Sequence, residues 1–257
     1  MVMAVHEVAQ QGFGSEAAAY ERSRPSYPPD AVAWLVDALR IAPGVRMLDL
    51  AAGTGKLTRL LGPIGADLLA VEPVDGMRRV LTEVVPGVPV IAGAAEALPF
   101  STGTLDAVTV AQAFHWFDAD AAFAELARVL RPGGRVVILW NARDRSVDWV
   151  DQAWAIMDRV EKRAPSRDHE HWRDSALGER GGFGPVHGAT FHHEQVFTPE
   201  GVVERFQGVS HVAALPPAER AAVLDEVREL VATHPETRGR DELSVPYRVD
   251  AYWCERT

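Results

Sequence analysis

The stretch Val45 to Thr58, VRMLDLAAGTGKLT, decides how this chain reads. Val45, Met47, Leu48 and Leu50 make an apolar run of strand length, Gly53 and Gly55 mark a turn, and a helix starts behind them. The next strand-like run, ADLLAVEP, carries Glu72 at its end. A turn without large side chains lets a ligand press against backbone N–H groups at a helix N-terminus. A carboxylate roughly 20 residues on can hold the two hydroxyls of a ribose. Together they describe an α/β unit that binds a nucleoside.

Spacing separates three candidate ligands. A phosphate-binding loop needs G-x-x-x-x-G-K-[ST]. Here Leu57 follows Gly55-Lys56, and Leu50 stands where the first glycine belongs. A dinucleotide fingerprint needs G-x-G-x-x-G, and its third position is Thr58. What remains is D-x-x-x-G-x-G, with Asp49 closing the strand. An anionic side chain there suits a ligand with a cationic amino group and no pyrophosphate. S-adenosylmethionine is such a ligand.

Six strings, in order, resemble class I S-adenosylmethionine-dependent methyltransferases, and more closely the type 11 or trans-aconitate-methyltransferase-like small-molecule branch. They are YERSRPSYP (Tyr20 to Pro28), LDLAAGTGKLT, AVEPVDGMR (Ala70 to Arg78), GAAEALPF (Gly93 to Phe100), AQAFHWFD (Ala111 to Asp118) and RVLRPGGR (Arg128 to Arg135). The likeness is strong over residues 12 to 145 and weaker beyond, where SVPYRVDAYW (Ser244 to Trp253) looks like the family's last strand. The resemblance implies a Rossmann-like fold, with a seven-stranded, mostly parallel sheet, helices on both faces and a helical cap.

The resemblance also implies site roles. Asp49 and the backbone of Ala51, Gly53, Thr54 and Gly55 would face the methionine portion of the cofactor, and Glu72 the ribose hydroxyls. Pro73 and Met77 would pack near the ribose and adenine; Met77 reads equally as core. Many family members carry Asp where this chain has Ala94, so the backbone at Ala95, with Glu96, is the expected substitute against the adenine. Glu96 also reads as a solvated surface charge. Ligands of open α/β sheets bind beyond the carboxyl ends of the strands, so Ala111 and Gln112 are expected at the cofactor. His115 and Trp116 then fall between cofactor and acceptor, the alternative being packing residues and a helix cap. Tyr20, Arg24 and Tyr27 resemble a lid, where Tyr and Arg can hydrogen-bond a carboxylate while covering it; Tyr20 and Arg24 are expected on the cofactor and Tyr27 on the acceptor. Trp140 is a further acceptor candidate. His115 and His211 compete as general base.

Composition bounds the rest. At 257 residues and 28.0 kDa, with 47% hydrophobic residues, the chain suits one α/β domain with a cap. A net charge of −10 argues against nucleic acid as partner. The single Cys254 excludes an internal disulfide and a multi-thiolate metal site. No carboxylate cluster accompanies His169, His171, His192 or His193, so no metal is expected. His192 and His193, being adjacent, point to opposite faces of a strand. No run approaches the ~20 apolar residues of a membrane span, and MVMAVHEVAQQ lacks a secretion-signal pattern. A cytoplasmic monomer or homodimer is the expectation.

The chain divides into an N-terminal lid segment (1–29), a cofactor-binding core (30–145), cap and acceptor-pocket elements (146–240) and a final strand returning to the core sheet (241–257). Pro132-Gly133-Gly134 is read as closing the helix over Phe123 to Leu130, with Arg135 to Trp140 as the fifth strand. The expected function is methyl transfer to a small organic acceptor, at oxygen before nitrogen or carbon, driven by alignment with an optional histidine base. Seven tryptophans suggest a partly aromatic or apolar acceptor. The alternatives are a methyltransferase of macromolecules and a protein that binds the cofactor without transferring methyl.

Overall fold

The computed structural model describes residues 25–161 and 182–257. Seven strands lie in one sheet: β1 (Arg46–Leu50), β2 (Asp67–Val71), β3 (Val90–Ile91), β4 (Leu105–Ala111), β5 (Leu130–Arg143), β6 (His187–Phe197) and β7 (Leu243–Glu255). Their order is β3-β2-β1-β4-β5-β7-β6. The first five are parallel, and β7 runs antiparallel to both β5 and β6. The expected Rossmann-like architecture is present.

The VRMLDL run becomes the centre of this sheet because it is apolar on both faces. Leu48 and Leu50 pack with Val108, Val110, Phe123 and Leu126. Met47 points the other way, against Leu35, Leu57, Leu61 and Val137. This alternation follows from the two-residue period of a strand. The helices are α1 (Pro29–Leu39), α2 (Thr58–Leu61), α3 (Asp75–Val84), α4 (Ala119–Val129), α5 (Asp148–Glu161), α6 (Pro199–Gln207), α7 (Ser210–Ala213) and α8 (Pro217–Thr233). The first face takes α4, and the second takes α1 and α2. Helices α5 to α8 build a separate core with the start of β7, from Trp149, Trp154, Phe206, Val212, Val227 and Tyr247.

Two placements differ from the sequence reading. Pro132-Gly133-Gly134 does not cap α4; it lies within β5, which begins at Leu130. The register slips there, with Leu105 opposite Leu130 but Ala107 opposite Arg135, so the strand bulges. A side chain at Gly134 would stand 2.8 Å from the Arg131 carbonyl oxygen, so this close approach admits only glycine. The stretch 146–240, expected to cap, contributes β6 to the main sheet. Pro246, expected near an edge or bulge, lies one residue past the β5–β7 pairing, which ends at Tyr247, and opposite Glu194 in the β6–β7 pairing.

Candidate functional site

The strand order reverses between β1 and β4, because β2 and β3 lie on one side of β1 and β4 and β5 on the other. Beyond the carboxyl ends of these strands the crossovers diverge and leave a crevice. A cavity of about 360 Å³ occupies it, within the range of small-molecule sites. Backbone strain marks both flanks. Ala51, just after β1, has φ 53° and Gln112, just after β4, has φ 60°. Both line the cavity. Such non-glycine conformations cost on the order of 1–3 kcal/mol each and cluster at functional sites. Hydrogen bonds from Ala52 N to Val71 O and from Gln112 N to Leu139 O hold the two turns.

Glu72 governs the β2 flank. It is 4% exposed and lines the cavity. Its Oε2 accepts from Gly53 N and its Oε1 from Val74 N, each at 2.8 Å. The carboxylate therefore ties the glycine turn of β1 to the start of α3. Burial pushes its pKa up to about 6, against the lowering effect of the Val74 and Gly53 N–H groups and Arg78. An ionised carboxylate offers roughly four lone-pair sites. Two are used internally, and the remainder match the two hydroxyls of a ribose. The residues thus fit the adenosyl group the sequence implies.

The other expected cofactor residues divide. Ala51, Gly53, Thr54, Pro73 and Met77 line the cavity, as do Ala95, Glu96, Ala111 and Gln112. Met77 is also core, packed with Val74. Glu96 is not merely a solvated charge: its Oε1 accepts from Asp118 N at 2.9 Å, and Asp118 caps α4 by accepting from Ala121 N.

Asp49 and Gly55 do not line the cavity. Asp49 is fully buried, its Oδ2 accepting from Thr58 Oγ1 at 2.6 Å and its Oδ1 from Thr109 Oγ1 at 2.9 Å. Both oxygens thus brace β1 against α2 and β4, and burial raises its pKa to about 6 despite the two hydroxyls. Gly55 has φ 86°, and a side chain there would meet Leu81 at 3.0 Å and Val85 at 3.1 Å. Its bare backbone serves the packing of α3.

Of the residues expected at the acceptor, Tyr27 and Trp116 line the cavity. His115 and Trp140 do not. His115 precedes Trp116 in a one-turn 3₁₀ helix, Phe114–Trp116, with ring centroids 5.2 Å apart. Trp140 is buried in the core beside Tyr252, at 6.5 Å between centroids. Trp149 and Trp154 fill the second core, so neither supplies an aromatic acceptor wall. His211 falls in α7, but its side chain lies outside the described residues, as do Tyr20, Arg24, His169, His171 and Trp172. His193 Nε2 bonds Asn141 Oδ1 at 2.8 Å, while His192 approaches Asp144 at 3.6 Å.

Several lining residues escaped the sequence reading: Lys56, Phe117, Asp118, Asn141 and Arg205. Asn141 follows Trp140 in β5, so the neighbouring side chain takes the opposite direction. Its Nδ2 donates to Ser26 O at 3.2 Å, which holds the segment before α1 against the sheet. Arg205 is 5% exposed in α6, and its Nε donates to Tyr247 Oη at 3.1 Å. A signal existed: Arg205 stands one helical turn after Val202, on the stripe that is otherwise apolar.

Known proteins bear on this geometry. The family described as "Methyltransferase domain" matches residues 48–138, the span from β1 into β5. An uncharacterized methyltransferase of Mycobacterium tuberculosis is 40% identical over 236 residues, 91% of each chain. A structure provisionally assigned as a type II methyltransferase of Anaeromyxobacter dehalogenans superposes with a TM-score of 0.68 at 24% identity, covering 91% of this chain and 97% of that one. A phosphoethanolamine N-methyltransferase of Haemonchus contortus, solved with S-adenosylhomocysteine and phosphomonomethylethanolamine, shares the fold with a TM-score of 0.59 at 17% identity, over 99% of this chain and 60% of that one. With a ribose-competent carboxylate at the end of β2 and near full-length likeness to a methyltransferase, the chain belongs to the class I S-adenosylmethionine-dependent methyltransferases.

Proposed function

We propose that this enzyme methylates a small organic acceptor, at oxygen in preference to nitrogen or carbon. The observation that carries the reading is the composition of the single cavity at the switch point. It is lined at one end by the β1 turn and Glu72 and elsewhere by Tyr27, Trp116, Asn141 and Arg205, so cofactor and acceptor share one apolar-walled space. S-adenosylmethionine supplies a methyl group already activated on a sulfonium. The chain's part is then to hold, orient and exclude water. In this reading Glu72 holds the ribose. The segment from Gly93 to Glu96 lies against the adenine, and Ala51 to Thr54 and Gln112 present backbone to the methionine portion. Trp116 and Tyr27 wall the acceptor side, and helices α5 to α8 carry the cap.

The oxygen reading fits a wall on which, among the described residues, no histidine stands. An acceptor already ionised near neutral pH needs no base. His115 is assigned the role of supporting Trp116. The acidic net charge of −10 weighs against a nucleic-acid acceptor.

The test is incubation of the purified enzyme with methyl-labelled S-adenosylmethionine and a fractionated cell extract. Label in the small-molecule fraction, on oxygen by NMR, is the expected result. Label confined to protein or nucleic acid would overturn the acceptor class.

A further inference from the structure

We propose that Arg205 is an acceptor-binding residue and that the acceptor carries a carboxylate held by its guanidinium. The inference rests on the reading of the cavity as a shared cofactor and acceptor site, and it names the acceptor's chemistry.

Arg205 comes from α6, far in sequence from the glycine turn, and lines the same cavity as Glu72. It is 5% exposed. Among the described residues, no carboxylate forms an ion pair with it. Its neighbours are aromatic: the guanidinium carbon lies 5.4 Å from the Trp154 ring and 5.9 Å from that of Tyr247. Nε is satisfied by Tyr247 Oη, whereas Nη1 is buried with no hydrogen-bond partner.

That combination is costly in the free protein. A buried charge requires compensation, and a buried donor without an acceptor carries its full desolvation penalty. Replacing such a group by an apolar one of similar volume is often neutral or stabilising. A charge retained in this state, on the wall of a binding cavity, points to a partner that arrives with the ligand. The Tyr247 bond orients the guanidinium through Nε and leaves Nη1 as a donor still to be paired, and a carboxylate is the planar anion whose geometry suits a guanidinium. Charge favours a carboxylate over a phosphate. The other charged residues on the wall are Lys56 and the acids Glu72, Glu96 and Asp118; the acids outnumber the cations, so a dianion is repelled more strongly than a monoanion.

The test uses full-length enzyme loaded with S-adenosylhomocysteine. A panel of small aromatic and aliphatic carboxylates is titrated by ligand-observed NMR beside their neutral amides and the matching phosphate monoesters. The wild type should prefer carboxylates to amides by about 10- to 100-fold, the range of a charge-assisted bidentate contact. Arg205→Met should abolish the preference while leaving S-adenosylhomocysteine affinity unchanged and thermal stability equal or higher. Arg205→Lys should retain part of the preference, because the charge stays but the fork is lost. Absence of a carboxylate preference across the panel would overturn the proposal, as would a stronger preference for phosphates. A loss of S-adenosylhomocysteine affinity in Arg205→Met would also overturn it, placing Arg205 on the cofactor instead. Failure of the wild type to bind S-adenosylhomocysteine at all would strike the reading of the cavity itself.

Discussion

The two ends of the cavity are made of different material. At the β1–β2 end the wall comes from residues 50 to 77, among them the turn Ala51 to Thr54, the carboxylate-bearing Glu72, Pro73 and Met77. At the cap end it meets side chains drawn from α6, from the end of β5 and from the segment before α1: Arg205, Asn141 and Tyr27. The first is a local device, set by strained turns and short spacings that a single strand–turn–helix unit can encode. The second is tertiary, assembled only when β6 and β7 close the sheet and α5 to α8 form their own core. On the proposed reading, the local end holds the cofactor and the tertiary end selects the acceptor.

Substitutions at the turn should therefore act on stability and cofactor without reaching the acceptor end. The largest effect is expected at Gly55→Ala. The added methyl meets Leu81 and Val85, and φ 86° is unfavourable for alanine. A loss of about 2–4 kcal/mol in urea unfolding follows from overpacking and backbone strain together. An unchanged midpoint would remove the packing role assigned to this glycine.

Asp49→Asn comes next and separates bracing from binding. The folded-state pKa values of Asp49 and Glu72 lie near 6, above their ordinary 3.8 and 4.5, because burial disfavours the charge. The folded protein therefore holds these protons more tightly than the unfolded chain. The resulting stabilisation is full below the ordinary carboxylate range and is lost as pH rises through about 6. Asp49→Asn should flatten this dependence by about 2–3 kcal/mol between pH 4 and 7.5, measured by denaturant titration at several pH values. Cofactor affinity at pH 7.5 should stay close to wild type; a large loss would return Asp49 to the ligand site.

Glu72→Gln should weaken S-adenosylhomocysteine binding by about 1–3 kcal/mol in calorimetry, through loss of a charge-assisted contact. Wild-type affinity should itself fall below pH 6 as Glu72 takes up its proton. Flat affinity across pH 5 to 8 would contradict the ribose role. The smallest effect is expected at His115→Ala, with cofactor affinity within about 0.5 kcal/mol of wild type and no loss of an ionisation from the pH–rate profile. Disappearance of a limb near pH 6–7 would make His115 the base after all.

The same division explains what could be read from the sequence. Asp49, Gly53 and Glu72 were placed correctly on their elements, because apolar runs and glycine punctuation report local structure directly. Direction was harder. Asp49 ends a strand beside the turn, yet its side chain turns inward to Thr58 and Thr109. His115 and Trp116 are adjacent in a helix of three residues per turn, and only Trp116 reaches the cavity. In β5, Trp140 and Asn141 are neighbours on opposite faces, and Asn141 is the one that lines the cavity. Arg205 was missed for another reason. In the helix PEGVVERFQ a charged residue reads as surface unless its place on the Val202 stripe is weighed, and the packing of α6 beside Trp154 and Tyr247 accounts for its burial.

The central claim is that Glu72, fixed by Gly53 and Val74, receives the ribose of the cofactor at the switch point of the sheet. The most direct measurement is a crystal structure of the enzyme with S-adenosylhomocysteine. The predicted result is both ribose hydroxyls within hydrogen-bonding distance of the Glu72 carboxylate, with the adenine against Gly93 to Glu96. An adenosyl group bound elsewhere, or in this cavity with its ribose away from Glu72, would contradict it.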